Sequence, residues 1–177
     1  MCSPSLSPHH IDELYIACDM SPEFPSTDFG KNWATLNFRQ FCSNKWSAVR
    51  FTRDPKVLWS LDYTSPNESD ACRPVRSTDG GKTWSKPQEQ AWPVSRRAYV
   101  LFGDFAHHER AFVSAEYREL WVTQDGGKSY QRTYRTSNPG GLVLAGVFCD
   151  GETLYIGTND GLLRSQDGGR TITKSVL

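Results

Sequence analysis

Four short stretches of this chain read alike: ELYIACDM, KVLWSLDY, RAFVSAEY and TLYIGTND. Their seventh places hold Asp19, Asp62, Glu116 and Asn159. Three carboxyls that recur at one place in a repeat could gather on one surface. There they could share general acid and base work, as hydrolysis of a glycosidic bond requires. The same residue types also open turns, because their side chains accept nearby backbone N–H groups, so both roles stay open. Asp62 is singled out because the expansion TSPNESDA begins two residues later, and long loops shape binding sites. Arg39, Arg96, Arg97 and Arg135 fall between the repeated segments, and a guanidinium grips a carboxylate through two parallel hydrogen bonds. Trp46 and Trp92 lie in the same connections, where they could stack on sugar rings or cover edges. The pair His107–His108, with Asp104 and Glu109 nearby, is the nearest thing to a metal site. Adjacent histidines point in different directions, so a solvated turn is expected there and no metal or cofactor is implied.

The elements that must position these residues are marked by a second repeat. STDGGKTW at 77–84 returns as STDFGKNW at 26–33, TQDGGKSY at 123–130 and SQDGGRTI at 165–172. The boxes start 51, 46 and 42 residues apart, close to the period of a four-stranded propeller blade. Between them lie short β-branched and aromatic runs and no sustained helical period. The second, third and fourth units each offer four runs, here called strands A to D, with the box between C and D. In the first unit strand A is missing or lies within CSPSLSPHH. Expected blades span 11–40, 46–90, 97–135 and 141–177, with a flexible tail over 1–10. The fold class is all-β: a propeller of about four antiparallel four-stranded blades, in an incomplete ring that is either a fragment or a half needing a partner.

Each box reads as a turn. Asp28, Asp79, Asp125 and Asp167 can accept backbone amides further along. Gly30, Gly81, Gly127 and Gly169 can take positive φ. Trp33, Trp84 and Tyr130 supply an aromatic face, with Ile172 as a weaker version. Four equivalent copies argue against catalysis, which needs unlike groups at one point. In an up-and-down blade the boxes share a face with the A–B turns. The B–C turns and D–A connections, with the acids and arginines, lie on the other.

Lys plus Arg equals Asp plus Glu at 20 each in 177 residues. No net field draws the chain to nucleic acid or an anionic membrane. No apolar run spans a bilayer, and MCSPSLSPHH lacks the basic start and apolar core of a secretory leader. The chain is therefore expected to be intracellular or to have lost its leader. The five cysteines, Cys2, Cys18, Cys42, Cys72 and Cys149, include no CxxC and are expected as buried thiols, with one unassigned disulfide possible. Asn67 opens an NES sequon that matters only in a secreted eukaryotic chain.

The box resembles the Asp-box, or BNR repeat, of sialidase-type β-propellers, which include xyloglucanase-like glycoside hydrolases, sortilin-type receptors and photosystem assembly factors. The first unit, YIACDMSPEFPSTDFGKNW, is similar to the opening repeat of the xyloglucanase-like hydrolases. There Asp19 matches a catalytic Asp, but Ser21 and Pro22 stand where two glycines belong. The sialidase pattern implies an arginine triad, and its FRIP stretch is absent. The resemblance implies carbohydrate recognition or hydrolysis, with a glycosidase as the reaction class if the chain is an enzyme. The alternative is a non-catalytic scaffold for a protein partner. A carbohydrate is the expected ligand, with self-association or a partner chain completing the ring.

Overall fold

The computed structural model describes residues 3–19, 21–37, 42–44, 46–63, 72–85, 91–93 and 96–175. The strands form four antiparallel sheets, each in simple sequence order. Blade one holds β1 (Ser3–Leu6), β2 (Leu14–Ala17) and β3 (Phe24–Ser26). Blade two holds β4 (Arg50–Phe51), β5 (Leu58–Asp62) and β6 (Arg73–Ser77). Blade three holds β7 (Ala98–Gly103), β8 (Ala111–Ala115), β9 (Glu119–Thr123) and β10 (Gln131–Arg135). Blade four holds β11 (Leu144–Asp150), β12 (Thr153–Thr158), β13 (Gly161–Ser165) and β14 (Thr173–Lys174). Blades one and two keep a short fourth edge. Ala34 and Leu36 N–H groups donate to Pro25 and Glu23, and Ser85 N–H donates to Arg76. Strand A of the first unit, doubtful in the sequence, is β1, paired with β2 from Ser3↔Ala17 to Leu6↔Leu14. Residues 3–6 of the expected tail are thus part of a sheet.

All four boxes close with the same bonds. The opening hydroxyl of Ser26, Ser77, Thr123 or Ser165 donates to Asp28, Asp79, Asp125 or Asp167. The same oxygen accepts the N–H of Gly30, Gly81, Gly127 or Gly169, each at 2.9 Å. Each Asp then accepts the backbone N–H four residues on, also at 2.9 Å. The Thr171 side chain and amide, followed by Ser165, hold the Asp167 carboxyl down to about 2. Asn32, through its amide and its side chain, lowers that of Asp28. The fourth box residue donates its N–H to the A–B turn of its own blade: Phe29 to Asp12, Gly80 to Lys56, Gly126 to Glu109, Gly168 to Glu152. The boxes are therefore clasps that tie each C–D turn to its A–B turn.

The fourth place itself needs positive φ. Gly80, Gly126 and Gly168 take 75°, 73° and 71°, and Phe29 is forced to 61°. An L side chain in this region costs about 1–2 kcal/mol. Phe29→Gly is expected to raise stability by up to about 1 kcal/mol, since the extra chain entropy of Gly offsets part of the relief. Gly80→Ala is expected to cost about 1 kcal/mol through φ alone, because its Cβ would meet nothing nearer than the Pro55 carbonyl at 3.7 Å. Urea unfolding of both variants checks the pair, and shifts near zero in both would remove the strain argument.

The core lies between blades, in three layers. Tyr15 and Leu36 of blade one meet Val49, Leu58, Val75 and Trp84 of blade two. Trp59, Leu61 and Cys72 of blade two meet Leu101, Ala111 and Val113 of blade three. Phe112, Leu120 and Val122 of blade three meet Leu154, Ile156 and Leu163 of blade four. Burial of these apolar side chains is the main force holding blade to blade. Cys42, Cys72 and Cys149 are free, and burial first of all pushes their thiols up to about 11, 12 and 12. None is a nucleophile near neutrality. Cys18 is disulfide-bonded.

Candidate functional face

The face opposite the clasps carries the B–C turns and the D–A connections, and the recurring acids have a definite task there. Glu116 N–H donates to Arg97 O, and Arg97 N–H donates back to Glu116 Oε1 at 2.6 Å. Asn159 does the same with Val143, whose N–H reaches Asn159 Oδ1 at 2.7 Å. In blade two the role is split. Tyr63 N–H donates to Cys42 O, while Asp62 Oδ1 accepts Cys42 N–H at 2.9 Å. In blades two, three and four the column of polar residues is thus a latch that pins the incoming connection to the end of strand B.

The sheet register also moves Asp62. Leu14, Leu58, Ala111 and Leu154 lie opposite the box openers Ser26, Ser77, Thr123 and Ser165. Counting from them, Asp19, Tyr63, Glu116 and Asn159 are equivalent, and Asp62 falls one place early. A one-residue offset turns a side chain to the other face of a strand. Accordingly Asp62 is buried, Glu116 half-buried and Asp19 exposed. The expected ring of equivalent carboxyls is corrected to a latch with one member out of register. The expansion after Asp62, residues 64–71 with the Asn67 sequon, lies outside the described residues, as does Arg39.

Three arginines cluster round one buried acid. Glu119, buried at the start of β9, accepts Arg132 at 3.1 Å and the Trp121 indole at 3.0 Å. Arg96 and Arg135 stand at 3.8 and 4.0 Å from the same carboxylate. The carboxylate nearest these arginines is therefore one of the chain's own, while the Arg96 and Arg135 side chains keep 37% and 60% of their surface exposed. The sugar-stacking role of Trp92 is corrected: it is buried, packs edge-on against Trp121 and Tyr130, and donates its indole N–H to Arg96 O at 2.7 Å. Trp46 keeps a substantial exposed face.

Arg97 differs from the other arginines. Its guanidinium lies 5.3 Å over the Tyr99 ring. Tyr99 stacks on Tyr117 with ring centroids 3.6 Å apart, and Tyr117 is 54% exposed. Burial, followed by a hydrogen bond with Tyr117, pushes the Tyr99 phenol up to about 12. Tyr117 reaches this position through strain. Glu116 and Tyr117 take φ of 53° and 55°, and Arg118 N–H closes the turn on Ala115 O. Such hairpin turns use Asn-Gly or Gly-Gly, because both central residues are left-handed. The turn is held from outside as well. Tyr117 O accepts Leu142 N–H, and Gly141, at φ 77°, passes so near that a Cβ there would overlap this oxygen. Backbone strain that surrounding structure enforces is characteristic of functional positions. The sequence had a signal for it, since Glu-Tyr stands where a tight turn wants Asn-Gly.

On the clasp face a cleft of about 310 Å³ lies between blades three and four, lined by His107, His108, Arg110, Gln124 and Glu152 among others. Arg110 is already committed to Asp104, His107 and Gly151 O. Among the described residues no group of three His, Cys, Asp or Glu is placed to hold a metal.

Residues 75–86 match the BNR/Asp-box repeat. No curated protein matches the sequence. Among solved structures, an ancestral GH74 enzyme is 19% identical over 99% of this chain and 24% of its own, with a TM-score of 0.74. The GH74 xyloglucanase from Xanthomonas campestris is 15% identical over 97% of this chain and 29% of its own, with a TM-score of 0.69. YCF48 bound to D1 peptide is 14% identical over 98% of this chain and 80% of its own, with a TM-score of 0.54. The chain spans about a quarter of the length of the GH74 proteins. At these identities the likeness establishes the fold.

Proposed function

Taking the chain as an Asp-box β-propeller segment, we propose that it binds carbohydrate through the exposed Tyr99–Tyr117 stack on the face away from the clasps. The observation that carries this reading is the strained Glu116–Tyr117 turn. It holds an aromatic ring at the surface beside the Arg97 guanidinium, at an energetic cost that packing alone does not require. A flat ring takes the apolar face of a sugar, and an adjacent cation and latch carbonyls take its hydroxyls. Recognition is favoured over hydrolysis, because Asp62 and Glu116 each accept a backbone N–H and Asp62 stands apart from Asp19 and Glu116 in register.

Tyr117→Ala is expected to weaken glycan binding about tenfold, equivalent to roughly 1.4 kcal/mol, while costing the fold about 0.5–1.5 kcal/mol for the lost stack on Tyr99, since Ala keeps the left-handed φ and relieves no strain. Titration of xyloglucan oligosaccharides and sialosides by calorimetry reads this directly. Affinity that is indifferent to Tyr117→Ala sinks the assignment. Sugar release that Asp19→Asn or Asp62→Asn abolishes would restore catalysis. The second reading, a protein-binding scaffold, is favoured by the peptide-bound YCF48 neighbour. It gains if no glycan binds and a peptide does.

A further inference from the structure

Independently of the sugar reading, the two ends of the blade arc carry matching faces. In the column one place beyond the residues facing the box openers stand Tyr15, Trp59, Phe112 and Tyr155. The first three are buried under the following blade. The Tyr15 hydroxyl reaches Gly80 O of the second box, and Phe112 lies against Gly169 of the fourth. Trp59 carries Arg76 over its ring at 5.4 Å, and Arg76 in turn abuts Gly126 of the third box. Blade four repeats this arrangement with no blade over it among the described residues. Arg164 lies 5.9 Å over Tyr155, Tyr155 is 36% exposed and its cross-strand neighbour Phe148 is 63% exposed.

The opposite face of blade one is open in the complementary way. Trp33 holds the place of Trp84, and it is 41% exposed where Trp84 is 6%. Leu14 and Ile16 hold the places of Leu154 and Ile156. The former pair is half-buried and the latter fully buried. Leu6, opposite Leu14, is exposed.

We propose that blade four of one copy packs on blade one of a second copy, head to tail, so that two four-bladed arcs close into one eight-bladed ring. The junction continues the interface already made three times within the chain, with Tyr155 on the first box of the other copy as Tyr15 is on the second box of its own. One two-fold axis forms both junctions at once and leaves no apolar face open, and eight blades lies within the usual range of propellers.

Sedimentation equilibrium of the whole chain tests this. The expected mass is twice that of the chain. Tyr155→Glu and Trp33→Glu are each expected to give folded monomers, because each change damages both junctions of a homodimer. Mixing the two variants in equal amounts is expected to restore a one-to-one pair, since one junction then has two native faces. A monomeric wild-type chain overturns the proposal and leaves both faces to blades outside these 177 residues. Loss of the dimer with Tyr155→Glu but not with Trp33→Glu also overturns it, because that pattern belongs to a back-to-back pair. So do masses that grow beyond two copies, which mark an arc that does not close.

Discussion

Raising the pH from 5 to 9 is expected to lower the stability of this protein by roughly 4 kcal/mol, and Glu23→Gln is expected to remove most of that loss. Glu23 stands just before β3, fully buried, and neither carboxyl oxygen has a hydrogen-bond partner among the described residues. One step beyond the paired part of β2 and β3, it occupies the place held by Pro74 in blade two and Leu120 in blade three. It is a carboxyl in an inter-blade layer built for apolar groups. Burial pushes it up from 4.5 to about 8. The folded state therefore holds a proton that the unfolded state releases near its ordinary value. Stability from this group is whole below that value, declines across the interval up to about pH 8, and then levels off. For a protein with a total stability of about 5–15 kcal/mol, the loss is large. Glu23→Leu is expected to exceed the wild type at every pH. Urea unfolding at pH 5, 7 and 9 decides the matter, and parallel profiles for wild type and Glu23→Gln would refute it.

The second large effect concerns Arg110 and Asp104, both buried where blades three and four meet on the clasp face. Asp104 accepts Ala106 and His107 N–H groups through Oδ1 and Arg110 Nε at 2.7 Å through Oδ2. Arg110 continues to Gly151 O of the next blade at 2.6 Å and approaches Glu152 at 3.6 Å. Burial alone would raise the Asp104 carboxyl, but Arg110 and the two amides outweigh it and hold it below its usual value. Arg110→Met is expected to cost about 3–5 kcal/mol, because it strands a buried carboxylate. The double variant Arg110→Met with Asp104→Asn is expected to recover much of this. The stabilisation from Asp104 is present above the ordinary carboxylate range and fades as pH falls below it. A double-mutant cycle by urea unfolding measures the coupling, and additive losses would show that the pair acts independently.

Local features of the fold were legible in the sequence. Each box closes within eight residues through its own side chains, so its spacing alone gave the C–D turns and the blade order. What failed was what depends on distant partners. KVLWSLDY aligns with its sister segments by residue type one place away from its true register, because register is set across the sheet, at Leu58↔Ser77. Glu119 beside Arg96 and Arg135 was hidden, because it meets them only after folding. Glu23 stood out in nothing but its place at a strand edge, and its burial arises only in the folded chain. The need for positive φ at the fourth box position was hidden by the three glycines that meet it without strain, and only Phe29 exposes it.

The same division between local clasps and distant layers sets a timetable for synthesis. A blade can tie its own turns as soon as it leaves the ribosome, but its outer aromatic waits for the next box. Gly81, which covers Tyr15, is made 66 residues later, about 3–13 s at ordinary elongation rates. Throughout that interval the newest finished blade presents a bare aromatic face. The growing chain thus always carries one adhesive end, which moves from blade to blade.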